Sequence, residues 1–186
     1  MQDNWNKLLS VKIFSFASMK ATIILAVLLP LNFLAQLNVQ AKSEDPESMI
    51  KQIYVEVSSQ EGQEVDWEKV RSFFVEEALI VLQTSRDEST RFTLEEFIQD
   101  FKDFYESPAA KGSGFKEEVL KLRSQVYVDM AFMAVVYEAS ILNSERPPQK
   151  GIDFWLLQKK EDSWKVVAVT NQIIPPGEEI PAIFED

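Results

Sequence analysis

From residue 115 onward the pattern changes to four apolar-rich, strand-like runs, 115–127, 131–142, 151–160 and 164–173. Such runs bounded by turn residues predict β-strands. Glu161-Asp162-Ser163 reads as a tight hairpin turn, and residues 143–150, with Pro147-Pro148, as a longer loop. Upstream the period changes. Met49, Ile50, Ile53 and Val57 recur at helical spacing behind Ser43-Glu44-Asp45-Pro46-Glu47, a helix start with a capping residue, early acids and a proline near the first turn. Asp66 caps a second helix whose Trp67, Val70, Phe73 and Phe74 fall on one side. Thr93-Leu94-Glu95-Glu96 is a capping box. It opens the strongest helical stripe of the chain, Leu94, Phe97, Ile98, Phe101, Phe104 and Tyr105. Between the second and third helices, the apolar run Ala78-Leu79-Ile80-Val81-Leu82 reads as a buried strand, and residues 85–89 as a polar turn. Three helices followed by an antiparallel meander make an α+β layout.

The first forty residues follow another logic. Lys20 and Lys42 bracket an uncharged stretch, 21–41, whose centre 22–29 is compactly apolar and whose second half is diluted by Pro30, Asn32, Gln36, Asn38 and Gln40. A spanning helix needs about 20 predominantly apolar residues. A basic start, a short apolar core and the small residues Val39 and Ala41 instead predict an export signal cleaved near Ala41, with Met19 as an alternative start. A retained membrane anchor is the alternative. The expected organisation is thus a signal peptide over 1–41, one folded domain over 42–174 and a tail over 175–186, with the protein periplasmic or extracellular.

Composition removes whole classes of chemistry. The 186 residues contain neither Cys nor His, which excludes disulfides, thiolate nucleophiles, Ser-His-Asp machinery and imidazole metal ligands. No calcium-loop or phosphate-cradle spacing occurs either, so neither metal nor cofactor is expected. With 19 basic against 30 acidic residues, and no basic stripe, nucleic acid is not expected as a partner.

Val65-Asp66-Trp67, Phe73-Phe74-Val75-Glu76-Glu77-Ala78 and the closing strand Ser163-Trp164-Lys165-Val166-Val167-Ala168-Val169 resemble the SnoaL-like branch of the nuclear transport factor two-like superfamily. Gly114-Phe115 with Glu117, Tyr137-Glu138 and Gly151-Ile152-Asp153 are similar to a bacterial subgroup of unassigned function. The resemblance covers about 49–172. It implies a cone in which a strongly bent antiparallel sheet wraps over helices and encloses a pocket. It also implies that activity is open, since the superfamily holds ketosteroid isomerase, cyclases, dehydratases and modules that only bind or dimerise. In that subgroup a histidine often stands at the place of Phe132, and a tryptophan at that of Asn171.

Hairpin arithmetic assigns the faces. Pairing Lys160 with Trp164 sets Asp153 opposite Asn171, Trp155 opposite Val169 and Leu157 opposite Val167. Pairing Ile141 with Gly151 sets Tyr137 opposite Trp155. Directly opposed residues share a face. One face then carries Met133, Val135, Tyr137, Asp153, Trp155, Leu157, Val167, Val169 and Asn171. The other carries Phe132, Ala134, Val136, Ile152, Phe154, Leu156, Trp164, Val166 and Ala168. Tyr137, Asp153, Trp155 and Asn171, with Phe101 and Tyr105 from the third helix, are the candidate ligand-binding residues. A carboxylate in an apolar pocket can act as a base, and a tyrosine can stabilise an enolate-type oxyanion. Asp153 and Tyr137 are accordingly the catalytic candidates of an isomerase or lyase reading. The competing expectations are that Asp153 and Asn171 sit at a wet sheet end, and that the domain only binds a small apolar molecule or a protein. Since both faces are apolar, a homodimer through the sheet is expected, with the tail folded over that face as the alternative.

Overall fold

The computed structural model describes residues 45–85, 87–175 and 177–185; the leader and its cleavage position lie outside them. Helix α1 spans Pro46–Glu56, where the Asp45 carboxylate accepts from the Ser48 N–H and Pro46 occupies the first turn. Helix α2 is Trp67–Ser72, capped by Asp66. Strand β1 follows at once over Phe74–Gln83 and β2 over Ser89–Phe92. Helix α3, Leu94–Glu106, opens with both halves of its capping box formed. The meander is β3 Phe115–Tyr127, β4 Met130–Ile141, β5 Gln149–Lys160 and β6 Ser163–Ile173, and a short 3-10 turn at Ala182–Phe184 closes the chain.

The six strands form one sheet in the order β2-β1-β6-β5-β4-β3. It is a mixed sheet, because β1 runs parallel to β6 while every other pair is antiparallel. The sequence reading of a purely antiparallel sheet is corrected here. β1 and β6 are joined through everything between them, and a pairing that distant leaves no trace in local periodicity. The α+β class itself stands, with helices packed on one side of a curled sheet. β2 also escaped the sequence reading. It is four residues of mostly exposed Ser-Thr-Arg-Phe at the sheet edge, where a short polar strand discourages further pairing.

Two hairpins depart from the expected registers. β5 and β6 join through a two-residue turn, with Glu161 and Asp162 both at positive φ (47° and 68°) and Lys160 opposite Ser163. That turn is one residue shorter than expected. A bulge at Val167 then adds the residue back, so Leu157 pairs with Val166, yet Trp155 still faces Val169 and Asp153 still faces Asn171. Between turn and bulge the faces exchange, and Trp164 and Val166 enter the core instead of Val167. In the other hairpin Tyr137 pairs with Gly151, not with Trp155. The cause is steric. The Tyr137 ring lies across Gly151, and a Cβ at that position would overlap its hydroxyl. The slip is an even one, so the faces survive.

The core lies on the concave side. Met49, Ile50, Ile53 and Tyr54 of α1 and Val57 just past its end, with Leu94, Phe97 and Ile98 of α3, pack on Met133, Val135, Trp155, Leu157, Val166 and Val169. The convex side has a smaller cluster of Ala134, Val136 and Phe184, flanked by Phe132, Ile152, Ile174 and Ile180. Phe184 comes from the tail and is fully buried, and Lys121 Nζ donates to its carbonyl at 3.1 Å. The tail therefore covers part of the convex face. Phe154 and Leu156 remain exposed there, at 42% and 51%.

Candidate functional site

Four elements bring polar groups into the apolar interior of the cone. Tyr54 arrives because it sits one position from Ile53 and four from Ile50, on the buried stripe of α1. Glu117 arrives because it alternates with Phe115 and Val119 on the inward side of β3. Asp153 and Asn171 face each other across β5 and β6. Ser58, just past α1, joins helix to sheet. Its hydroxyl donates to the Tyr54 carbonyl at 2.7 Å and accepts from the Glu117 N–H at 2.9 Å.

These groups surround a cavity of about 70 Å3 whose walls include Ile53, Val57, Leu82, Phe97, Phe101, Trp155 and Val169. Asp153 is 7% exposed, buried on that wall and not at a wet sheet end. The Tyr54 hydroxyl donates to its Oδ2 in a short hydrogen bond, and Trp155 Nε1 donates in turn to the Tyr54 oxygen at 3.2 Å. On the opposite wall Asn171 Nδ2 donates to the Tyr137 hydroxyl at 2.9 Å, while Asn171 Oδ1 accepts from the Gln83 N–H at 2.7 Å. Asn171 is thereby fixed amide-side toward Tyr137, and the Tyr137 O–H proton is left for another acceptor. No hydrogen bond reaches the Glu117 carboxylate from the described residues, and no Lys or Arg lines the cavity.

Electrostatics follow from that geometry. Burial pushes the Asp153 carboxyl up to about 7, against the lowering effect of the Tyr54 hydrogen bond. Burial, and then the Asp153 charge, push Glu117 up to about 8. Burial and the neighbouring carboxylates also raise both tyrosines, Tyr54 and Tyr137. Near neutral pH the pair therefore holds a proton that ordinary carboxylates would have lost. Such a site can accept a proton at Asp153, donate one from Glu117, or hold a hydrogen-bond donor between them.

Of the candidates from sequence, Tyr137, Asp153, Trp155, Asn171 and Phe101 all border this cavity. Tyr105 does not. Its hydroxyl donates to the Val57 carbonyl at 2.6 Å, and its ring packs on Trp67, Phe104 and Phe115 beside a separate groove. Phe132 lies on the convex side against Phe154, ring centroids 5.6 Å apart, so its difference from the subgroup does not touch the cavity. Tyr54 and Glu117 were not among the sequence candidates, although strict helical spacing from Ile50 and strict alternation from Phe115 both mark them as inward.

No family model matches the chain, and no curated protein matches it by sequence. Solved structures do match. A nuclear transport factor two-like protein with a cystatin-like fold from Novosphingobium aromaticivorans aligns with a TM-score of 0.57 at 14% identity, over 78% of this chain and 90% of that one. A protein of unknown function with a cystatin-like fold from Nostoc punctiforme aligns at 0.55 and 11%, over 70% and 90%. A candidate scytalone dehydratase from Novosphingobium aromaticivorans aligns at 0.53 and 13%, over 73% and 87%. The protein shares the cystatin-like fold of these structures, the fold that the resemblance in its sequence implied. At these identities the likeness is one of fold, and activity has to be argued from the cavity.

Proposed function

We propose that the protein is a pocket domain acting outside the cytoplasm, which binds a small molecule of largely apolar body in the cone. The observation that carries this reading is the buried Asp153 on the wall of an aromatic cavity, held by Tyr54 and facing Tyr137 and Asn171. Apolar walls with a few convergent polar groups are what small-ligand sites consist of. At about 70 Å3 the cavity lies below the roughly 300–1,000 Å3 of drug-sized sites, so only a compact group enters it. The export part of the proposal rests on the basic, apolar and small-residue pattern of residues 20–42. Self-association through the exposed Phe154 and Leu156 belongs to the same proposal, the tail already covering the neighbouring part of that face.

A second reading is supported by the free Tyr137 proton and the raised Asp153. In a cofactor-free isomerase, Asp153 would take a proton from the carbon next to a ketone, the C–H electron pair passing into the enolate. Tyr137 would donate to the enolate oxygen, and Asp153 would return the proton at a further carbon. The small cavity disfavours a steroid-sized substrate.

Native mass spectrometry of the full chain, purified from the cells that make it, tests the leading reading. A retained small molecule, kept by Asp153→Asn without turnover, supports binding. Turnover of a compact unsaturated ketone that Asp153→Asn abolishes would favour the isomerase. Protein with neither a retained mass nor any small-molecule-dependent shift in Tm would remove both.

A further inference from the structure

The cavity has a property the pocket reading alone does not use. Two carboxylates border it, Asp153 and Glu117, and neither meets a cation there. Asp153 receives one hydrogen bond, at Oδ2, and no described residue donates to its Oδ1. Around them stand the aromatic rings of Tyr54, Tyr137, Phe101 and Trp155, with Tyr54 6.0 Å from both Tyr137 and Trp155 between centroids. Burying Asp153, with Glu117 half-buried beside it and no counter-charge, is expensive in the ionised state. A hydrophobic site for an apolar ligand has no use for the second acid.

The approach has the same character. A groove of about 700 Å3 lies outside, and Tyr54 and Glu117 border both groove and cavity. Its charged residues are Glu56, Glu64, Asp66, Glu117 and Glu118 against Lys51 and Lys116, and Lys116 is paired with Glu118. An acid-lined groove leading to an acid-bearing aromatic cavity concentrates cations and repels anions.

We infer that the ligand of this cavity is a compact organic cation, a primary or secondary ammonium group on a short apolar body, with its head between Glu117 and Asp153. This rests on the pocket reading above and names the ligand's chemistry. The head supplies donors to the unpaired carboxylate oxygens, the aromatic rings face its charge, and the body extends through the mouth between Tyr54 and Glu117. A cation at that place also supplies a counter-charge that opposes the rise which burial imposes on both carboxyls. A metal ion fits less well, since no three His, Cys, Asp or Glu side chains gather among the described residues.

Isothermal titration of the full chain with butylammonium, butan-1-ol and butyrate tests this, three probes alike in body and different in head charge. The expected result is that butylammonium binds at least about tenfold more tightly than butan-1-ol, that butyrate does not bind, and that added salt weakens only the cation. Glu117→Gln should lower butylammonium affinity about tenfold and leave butan-1-ol binding unchanged, which separates lost charge from lost fold. Asp153→Asn should do the same. Butan-1-ol or butyrate binding as well as butylammonium would overturn the cation and leave the pocket standing. Binding of none of the three, by a chain whose thermal unfolding is intact, would overturn the cation and the pocket together.

Discussion

The two faces of strands β4 and β5 are built from equally apolar residues and behave differently. Phe154 and Trp155 are chain neighbours. Trp155 is buried against Tyr54 and Phe74 and holds a hydrogen bond, whereas Phe154 touches Phe132 and is 42% exposed. Two helices cover the concave face, and only a tail segment anchored by Phe184 covers part of the convex one. On the concave face Asp153 is buried, whereas Glu138, on the convex side of β4, stays within reach of water and of Lys150. Apolar content therefore does not decide which face becomes a site; enclosure does, because only enclosure removes the water that would satisfy Asp153.

The comparison breaks most visibly if Trp155 is truncated. Trp155→Ala should cost about 4 kcal/mol, from lost packing and the lost indole hydrogen bond to the Tyr54 oxygen, measured by urea unfolding. Phe184→Ala tests whether the tail matters as a cover. It should cost about 3 kcal/mol and increase binding of a hydrophobic dye, because it uncovers Ala134 and Val136. An unchanged midpoint would mean that the tail merely rests there.

Gly151→Ala should cost about 2 kcal/mol, since the new Cβ overlaps the Tyr137 hydroxyl. The double variant with Tyr137→Phe, which removes that hydroxyl, should recover part of the loss.

pH sharpens the contrast between faces, as only the concave side carries raised acids. Both carboxyls have native values above their unfolded ones, about 7 for Asp153 and about 8 for Glu117. The native state then binds more protons than the unfolded state, and stability falls as pH rises from about 4 to about 8. Glu117→Gln should flatten the upper part of that slope and stabilise the protein by about 2 kcal/mol at pH 9. A stability that rises with pH over this window would contradict the burial of both acids. The smallest effect belongs to Phe154→Ala, within about 0.5 kcal/mol in the monomer. A larger, concentration-dependent loss would support self-association through that face.

Much of this was legible because it is local. The caps at Asp66 and Thr93 are short-range hydrogen bonds, so their residues announce them. The meander strands show as apolar-rich runs between turns, and Asp153 lies opposite Asn171 as expected because the bulge at Val167 offsets the shorter turn. Tyr54 and Glu117 were legible in spacing but silent about role, since a tyrosine on a buried helical stripe reads as core.

What the sequence by itself determined is therefore the α+β order, the helix starts, the meander and the pairing of Asp153 with Asn171, all set by contacts between near neighbours in the chain. Tertiary structure alone decided the rest. The parallel docking of β1 on β6 needs strands about 90 residues apart to meet, and the Gly151 register depends on where the Tyr137 ring can lie. The meeting of Tyr54, Glu117 and Asp153 depends on the curl of the sheet bringing α1, β3 and β5 around one cavity, and that curl removes the water that fixes their charge.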